Sequence, residues 1–198
     1  MILQRTFYEQ DILTVSRNML GKLLVHESPQ GVTSGKIVEV EAYCGPEDRA
    51  AHSYDGRRTP RNDVMFGEKG YAYVYLIYGM YYCVNITAGI IPRKPEAVLI
   101  RAIEPIEGLT LMEKRRGVTL GKTKNLTNGP GRLCMAMGIT KAQHKLEMTV
   151  PPFYIKDAKP IHRDVIVETV RIGVDYAQDW KEKPWRFYIK GNNFVSKM

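Results

Sequence analysis

Residues 71–87, YAYVYLIYGMYYCVNIT, form two period-two runs meeting at Tyr78-Gly79, and this commits the chain to an antiparallel hairpin. Tyr71, Tyr73 and Tyr75 fall on one face of the first arm, and Tyr78 falls at the turn. Half of the chain's 12 tyrosines lie between Tyr71 and Tyr82. Aromatic residues suit any half-buried strand, so core packing accounts for some of these rings. A ring at a hairpin tip is different, because a tip is normally exposed.

The hairpin needs further strands to cover it. Gly35 to Tyr43 (GKIVEVEAY) alternates cleanly, and Lys22 to Val25, Ala97 to Ile103, residues 166–172 and Arg186 to Lys190 also read as strands. Helical spacing marks residues 9–20, ending at Gly21, then residues 107–116, then a segment opened by Gly129-Pro130 and running to about Met137. No βαβ rhythm appears, so the expected class is α+β. Without a repeat, a low-complexity tract or a linker, residues 1–198 are expected to form one domain.

No apolar run reaches the ~18 residues needed to span a bilayer. The opening MILQRTFYEQ lacks the features of a signal peptide, so a cytoplasmic protein is expected. Cys44, Cys83 and Cys134 are widely spaced with no CxxC pair. Reduced, mostly buried thiols are expected, with no metal site. Lys and Arg outnumber Asp and Glu by 29 to 21, a net charge of +8 that suits a polyanion such as nucleic acid.

Chemistry-bearing side chains gather in a few places. Glu39, Glu41 and Tyr43 share one strand face, with Val38, Val40 and Ala42 on the other. A carboxylate beside a bound substrate can orient and deprotonate water, and the residues alone leave Glu39 and Glu41 equivalent. Residues 44–70 form a long Gly-, Pro- and Arg-rich loop, a length uncommon in a compact domain unless it serves function. It carries His52 together with Arg57, Arg58 and Arg61, whose guanidinium groups match phosphate geometry. Further basic residues are Arg93-Lys94, Lys114 to Arg116, Lys122, Lys124 and Arg132, the last beside a helix N-terminus where free N–H donors can seat a phosphate. Tyr78 at its tip is placed to wedge into a base stack and fill the gap left by a flipped base.

Read together, Val38-Glu39-Val40-Glu41-Ala42-Tyr43, Gly45-Pro46-Glu47-Asp48, Ala50-Ala51-His52-Ser53, Thr59-Pro60-Arg61-Asn62 and Tyr73-Val74-Tyr75 resemble the alkyladenine (3-methyladenine) DNA glycosylases. The resemblance continues through Tyr78-Gly79-Met80-Tyr81, Asn85, Leu99 to Pro105, Gly129-Pro130, Arg171 to Val174 and Pro184 to Tyr188. It implies a curved antiparallel sheet with surrounding helices and a protruding hairpin. It also implies roles: Glu41 activates water, with Arg101 and the backbone carbonyl of Ile172 positioning it. Tyr43, His52, Tyr75 and Asn85 form the base pocket, and Tyr78 is the intercalating wedge. The implied activity is excision of alkylated or deaminated purines (3-methyladenine, 7-methylguanine, hypoxanthine, ethenoadenine) from double-stranded DNA. It would proceed by a monomer with no metal, no cofactor and no lyase step. Segment 88–96 (AGIIPRKPE) departs from the family's longer members.

Two other classes fit part of the sequence. A non-catalytic nucleic-acid-binding module using the tyrosines as a stacking platform explains the charge and the hairpin but gives Glu41 and Arg101 nothing to do. A metal-dependent nuclease lacks a convincing cluster of carboxylates.

Overall fold

The computed structural model describes residues 1–118 and 125–197, so Lys122 and Lys124 lie outside the described residues. The strands are β1 (Leu23–Ser28), β2 (Gly31–Tyr43), β3 (Ala72–Ile77), β4 (Tyr81–Thr87), β5 (Ala97–Glu107), β6 (Phe153–Lys156), β7 (Ile166–Thr169) and β8 (Arg186–Ile189). They form one antiparallel sheet in the order β3-β4-β5-β2-β1-β6, with β8 pairing both β2 and β7. The helices are α1 (Arg5–Tyr8), α2 (Ile12–Met19), α3 (Leu109–Arg116) and α4 (Pro130–Met137). The expected mixed class and the hairpin are both present. No described helix is long and apolar enough to cross a membrane.

Helix α2 starts later than its periodicity suggests, because the Asp11 carboxylate accepts from the Thr14 N–H at 3.0 Å and caps it there. Helix α4 opens with Pro130 in its first turn, as the sequence indicates. Ile12, Val15 and Met19 of α2, with Leu133, Cys134 and Met137 of α4, bury one face of the sheet against Val40, Ala42, Val98 and Ile100. The opposite face of β2, β4 and β5 is left for other uses. Helix α1 and strand β6 are not apparent in the sequence. Each is four residues long, too short to show a period, and β6 follows directly on a Pro-Pro pair.

Strand β2 is the spine. Its first half pairs with β1 and its second half with β8 on one edge, while β5 runs along the other. The β2–β5 ladder shifts register on both sides of Glu39. As a result Ile37, not Val38, joins Val40 in the main core, and Val38 packs instead with Ala102 and Val195. The expectation that Val38 shares a face with Val40 is therefore corrected: a bulge-type irregularity turns two successive residues the same way. The shift matters because Glu39 and Arg101 stand at it.

Candidate functional site

Glu41 is fully buried in the second half of β2. Its Oε1 accepts from the backbone N–H of Ile172 at 2.8 Å and lies 3.2 Å from Nη1 of Arg101. Its Oε2 accepts from the Tyr43 hydroxyl at 2.9 Å. A carboxylate has only acceptors to offer, and here every partner is a donor, one of them charged, which is how burial of such a group is compensated.

Glu39, equally buried, is held quite differently. Its Oε1 takes Nε of Arg101 at 3.1 Å, Nη1 of Arg186 at 2.9 Å and the Ser196 hydroxyl at 2.8 Å, while Oε2 accepts from the Ser196 N–H at 2.6 Å. Both carboxylates thus have both oxygens on protein groups, but the partners of Glu41 (Tyr43, Arg101 and Ile172) all line one cavity, whereas of the partners of Glu39 only Arg101 does. The geometry thus separates two carboxylates that the sequence left equivalent. Arg101 spans them, with one end on each.

The segment carrying Ile172 is fixed from behind. Strand β7 ends at Thr169, short of the expected 172, and the chain then turns so that Arg171 forms a two-pronged pair with Asp48 at 2.5 and 2.9 Å. Its guanidinium also donates to the Ala42 carbonyl and lies 4.9 Å from the Tyr43 ring and 5.1 Å from the Trp185 ring. The sequence reading gave this pair no role. Asp48 and Arg171 are 123 positions apart, and nothing in either segment announces a partner.

In front of Glu41 lies a cavity of about 520 Å³ whose wall includes Tyr43, His52, Tyr75, Asn85, Arg101 and Ile172, with Tyr78 at its mouth. The expected base-pocket residues, Arg101, Ile172 and Tyr78 thus meet at one cavity, while Glu41 is fully buried outside its wall and connects to it through Tyr43, Arg101 and Ile172. The volume falls in the ~300–1,000 Å³ range of small-ligand sites. Asn85 is buried on β4 and reaches the Tyr73 carbonyl at 3.4 Å. Tyr73, Met65 and Tyr176 also line the cavity; of these, the sequence gave only Tyr73, by its alternation with Tyr75.

His52 comes from the long loop, which is not loose. The Asn62 side chain accepts from the Thr59 N–H and donates to the carbonyls of His52 and Arg57, so the Thr-Pro-Arg-Asn turn carries the histidine. His52 Nδ1 lies 2.8 Å from the Tyr73 hydroxyl, and its ring meets Tyr75 edge-on at 4.7 Å. Burial, with Arg61 and Arg57 nearby, pulls its pKa down to about 4, so the imidazole is neutral at pH 7. Burial pushes the Tyr43 and Tyr75 hydroxyls well above their usual range and Tyr73 up to about 12, so all three remain protonated.

Tyr78 is 85% exposed. It and Gly79 both have positive φ, 53° and 68°, and the Met80 N–H donates to the Ile77 carbonyl at 3.1 Å, the pattern of a tight hairpin turn.

The expected phosphate-binding arginines are dispersed. Arg57 is exposed and, with Arg49 and Tyr54, lines a second hollow of about 460 Å³ that shares His52, Arg61 and Tyr176 with the first. Arg58 is paired with Asp63 at 2.7 Å and lies over the Phe66 ring. Arg132 is exposed in the first turn of α4, donating to Asn128 at 2.8 Å. Arg61 stands in the cavity wall, 5.7 Å from the Tyr75 ring centre. Elsewhere Lys94 bridges Glu47 and Glu96, and Arg115 and Arg116 are folded onto protein carbonyls.

The cysteines are free thiols, Cys83 and Cys134 buried and Cys44 partly so. Among the described residues no group of three or more His, Cys, Asp or Glu side chains is placed to hold a metal ion.

Comparison with known proteins gives a consistent result. Residues 6–193 match the family described as methylpurine-DNA glycosylase. A protein of Clostridium acetobutylicum named "Putative 3-methyladenine DNA glycosylase" is 51% identical, with 99% of this chain and 98% of the relative covered. Proteins of the same name from Bacillus cereus and Clostridium novyi are each 48% identical, over 97% and 98% of this chain and of the relative respectively.

Proposed function

The chain belongs to the methylpurine-DNA glycosylase family, and from that premise we propose that it flips a damaged purine out of duplex DNA and hydrolyses its bond to the sugar. The family is one of DNA repair enzymes that act on methylated purines in base excision. The further steps are read from the site's geometry.

The observation that carries the reading is the placing of Glu41. It is a buried carboxylate held from three sides by Tyr43, Arg101 and the Ile172 N–H, directly behind a cavity walled with aromatic rings. A purine entering this cavity lies against Tyr43 and Tyr75, with neutral His52 and Asn85 at its edges. Glu41 takes a proton from the water that attacks C1′, and its charge stabilises the positive charge developing on the sugar. The electron pair of the broken bond leaves with the base. Arg101, anchored on Glu39, keeps Glu41 in place; the Ile172 contact in the structure is through its N–H, and its carbonyl is proposed for the water.

Tyr78 fills the gap in the stack, offsetting unstacking that costs a few kcal/mol per step. Arg57 and Arg132 are proposed to contact phosphates. Hydrolysis without strand cleavage accords with a cavity wall on which no lysine stands among the described residues, since a Schiff base requires an amine. Hypoxanthine and ethenoadenine are proposed as substrates beside methylated purines, with the protein acting as a monomer.

The test is a duplex carrying a single hypoxanthine or ethenoadenine, half of each reaction treated with hot alkali before a denaturing gel. Cleavage only after alkali is expected. Cleavage without alkali would overturn the monofunctional reading. No cleavage in either half, repeated on methylated DNA, would favour a binding module.

A further inference from the structure

Two charged residues line the cavity, and their surroundings differ. Arg101 lies against Glu39 and Glu41, so its charge is matched at once. Arg186 offsets the second carboxylate. Arg61 has no carboxylate within 4.0 Å among the described residues. It lies 5.7 Å from the centre of the Tyr75 ring and belongs to the wall of the cavity as well as to the neighbouring hollow. The ring of Tyr75 has one electron-rich system to offer, and a guanidinium is already drawn to it.

Damaged purines fall into two electrostatic classes. Alkylation at a ring nitrogen, as in 7-methylguanine, leaves the base cationic. Deamination, as in hypoxanthine, leaves it neutral. A bare tyrosine cage would favour the cation. From these contacts we infer that Arg61 is a specificity-determining residue, a resident cation that removes this preference and lets neutral lesions compete with charged ones. This rests on the reading of the cavity as the seat of the flipped base. Neutral His52 adds no charge at pH 7, with burial and the two nearby arginines holding its pKa to about 4. The charge that an incoming base meets at this side of the cavity is therefore that of Arg61.

The experiment compares single-turnover release of 7-methylguanine and of hypoxanthine from otherwise identical duplexes, at two salt concentrations. It uses the wild-type protein, Arg61→Met and Arg61→Lys. Methionine keeps an unbranched apolar stem and deletes the guanidinium that lies over Tyr75; lysine keeps the charge. Arg61→Met is expected to raise the ratio of 7-methylguanine to hypoxanthine release by about two- to fivefold, the size of one partly exposed cation–π contact. Arg61→Lys is expected to hold the wild-type ratio. An unchanged ratio in Arg61→Met would overturn the inference. Equal losses on both lesions with a shallower salt dependence would overturn it in favour of a phosphate contact. Release of neither base by the wild-type protein would overturn the reading of the cavity itself, and the inference with it.

Discussion

Glu39 and Glu41 differ in nothing but their partners, and those partners assign them different consequences when changed. Glu41→Gln keeps the size of the side chain and removes its capacity to take a proton. We expect it to bind damaged DNA and to lose about 10²–10⁴-fold in single-turnover base release; release at the wild-type rate would remove Glu41 from the chemistry. Glu39→Ala leaves Arg101 and Arg186 buried without their shared carboxylate. Its expected effect is on stability, about 3–5 kcal/mol by urea unfolding, with activity falling because Arg101 loses its anchor. Alternation along GKIVEVEAY was enough to put both acids on the non-core face. It could not separate them, because the groups that do so arrive from distant sequence: Arg101 from β5, Arg186 from β8 and Ser196 from beyond β8. Asp48 and Arg171 were illegible for the same reason, being a pair whose members carry no local pattern.

Among the elements, the β3–β4 hairpin was the most legible, since its period, its turn and its tip residue are all local properties. Its turn stores strain: Tyr78 holds φ at 53°, which costs a residue with a Cβ about 1–2 kcal/mol. Tyr78→Gly is therefore expected to raise the melting temperature of the free protein slightly while weakening capture of lesions in duplex. Tyr78→Ser is expected to impair duplex substrates more than single-stranded ones, and equal losses in both would sink the wedge. Residues 44–70 show the opposite case. The sequence marked a long functional loop, but its order comes from side-chain-to-backbone bonds, Asn62 to His52 and Arg57 above all, and such bonds have no period to read. The bulge beside Glu39 was invisible too, because alternation assumes an unbroken pleat.

At the scale of the whole molecule, charge and titration set the working range. A net charge of +8 over a family that binds DNA leads to affinity falling steeply with salt, measured as the slope of log binding constant against log salt. His52, His26 and His144 all have pKa values lowered chiefly by burial, His52 from 6.5 to about 4. The unfolded chain then binds more protons than the folded one between those values. The contribution of His52 to stability is complete above pH 6.5 and is lost as the pH falls toward 4, with His26 and His144 acting in the same direction, so the urea midpoint is expected to drop as the pH is lowered through that window. The antiparallel class was readable from strands without crossover rhythm, whereas the strand order was not, since β8 docks on β2 through contacts that only the closed fold creates. That docking ends in Ser196 on Glu39 and in Arg186 donating to the Lys197 carbonyl. The tail is thus a latch on the strand that carries the proposed base, and the protein is vulnerable to clipping at a place outside the cavity wall. A molecule trimmed after Asn193 would keep every residue of the cavity wall yet lose the two Ser196 hydrogen bonds that fix Glu39, the carboxylate on which Arg101 is anchored. A carboxypeptidase time course should therefore see base release decline before any cavity residue is removed.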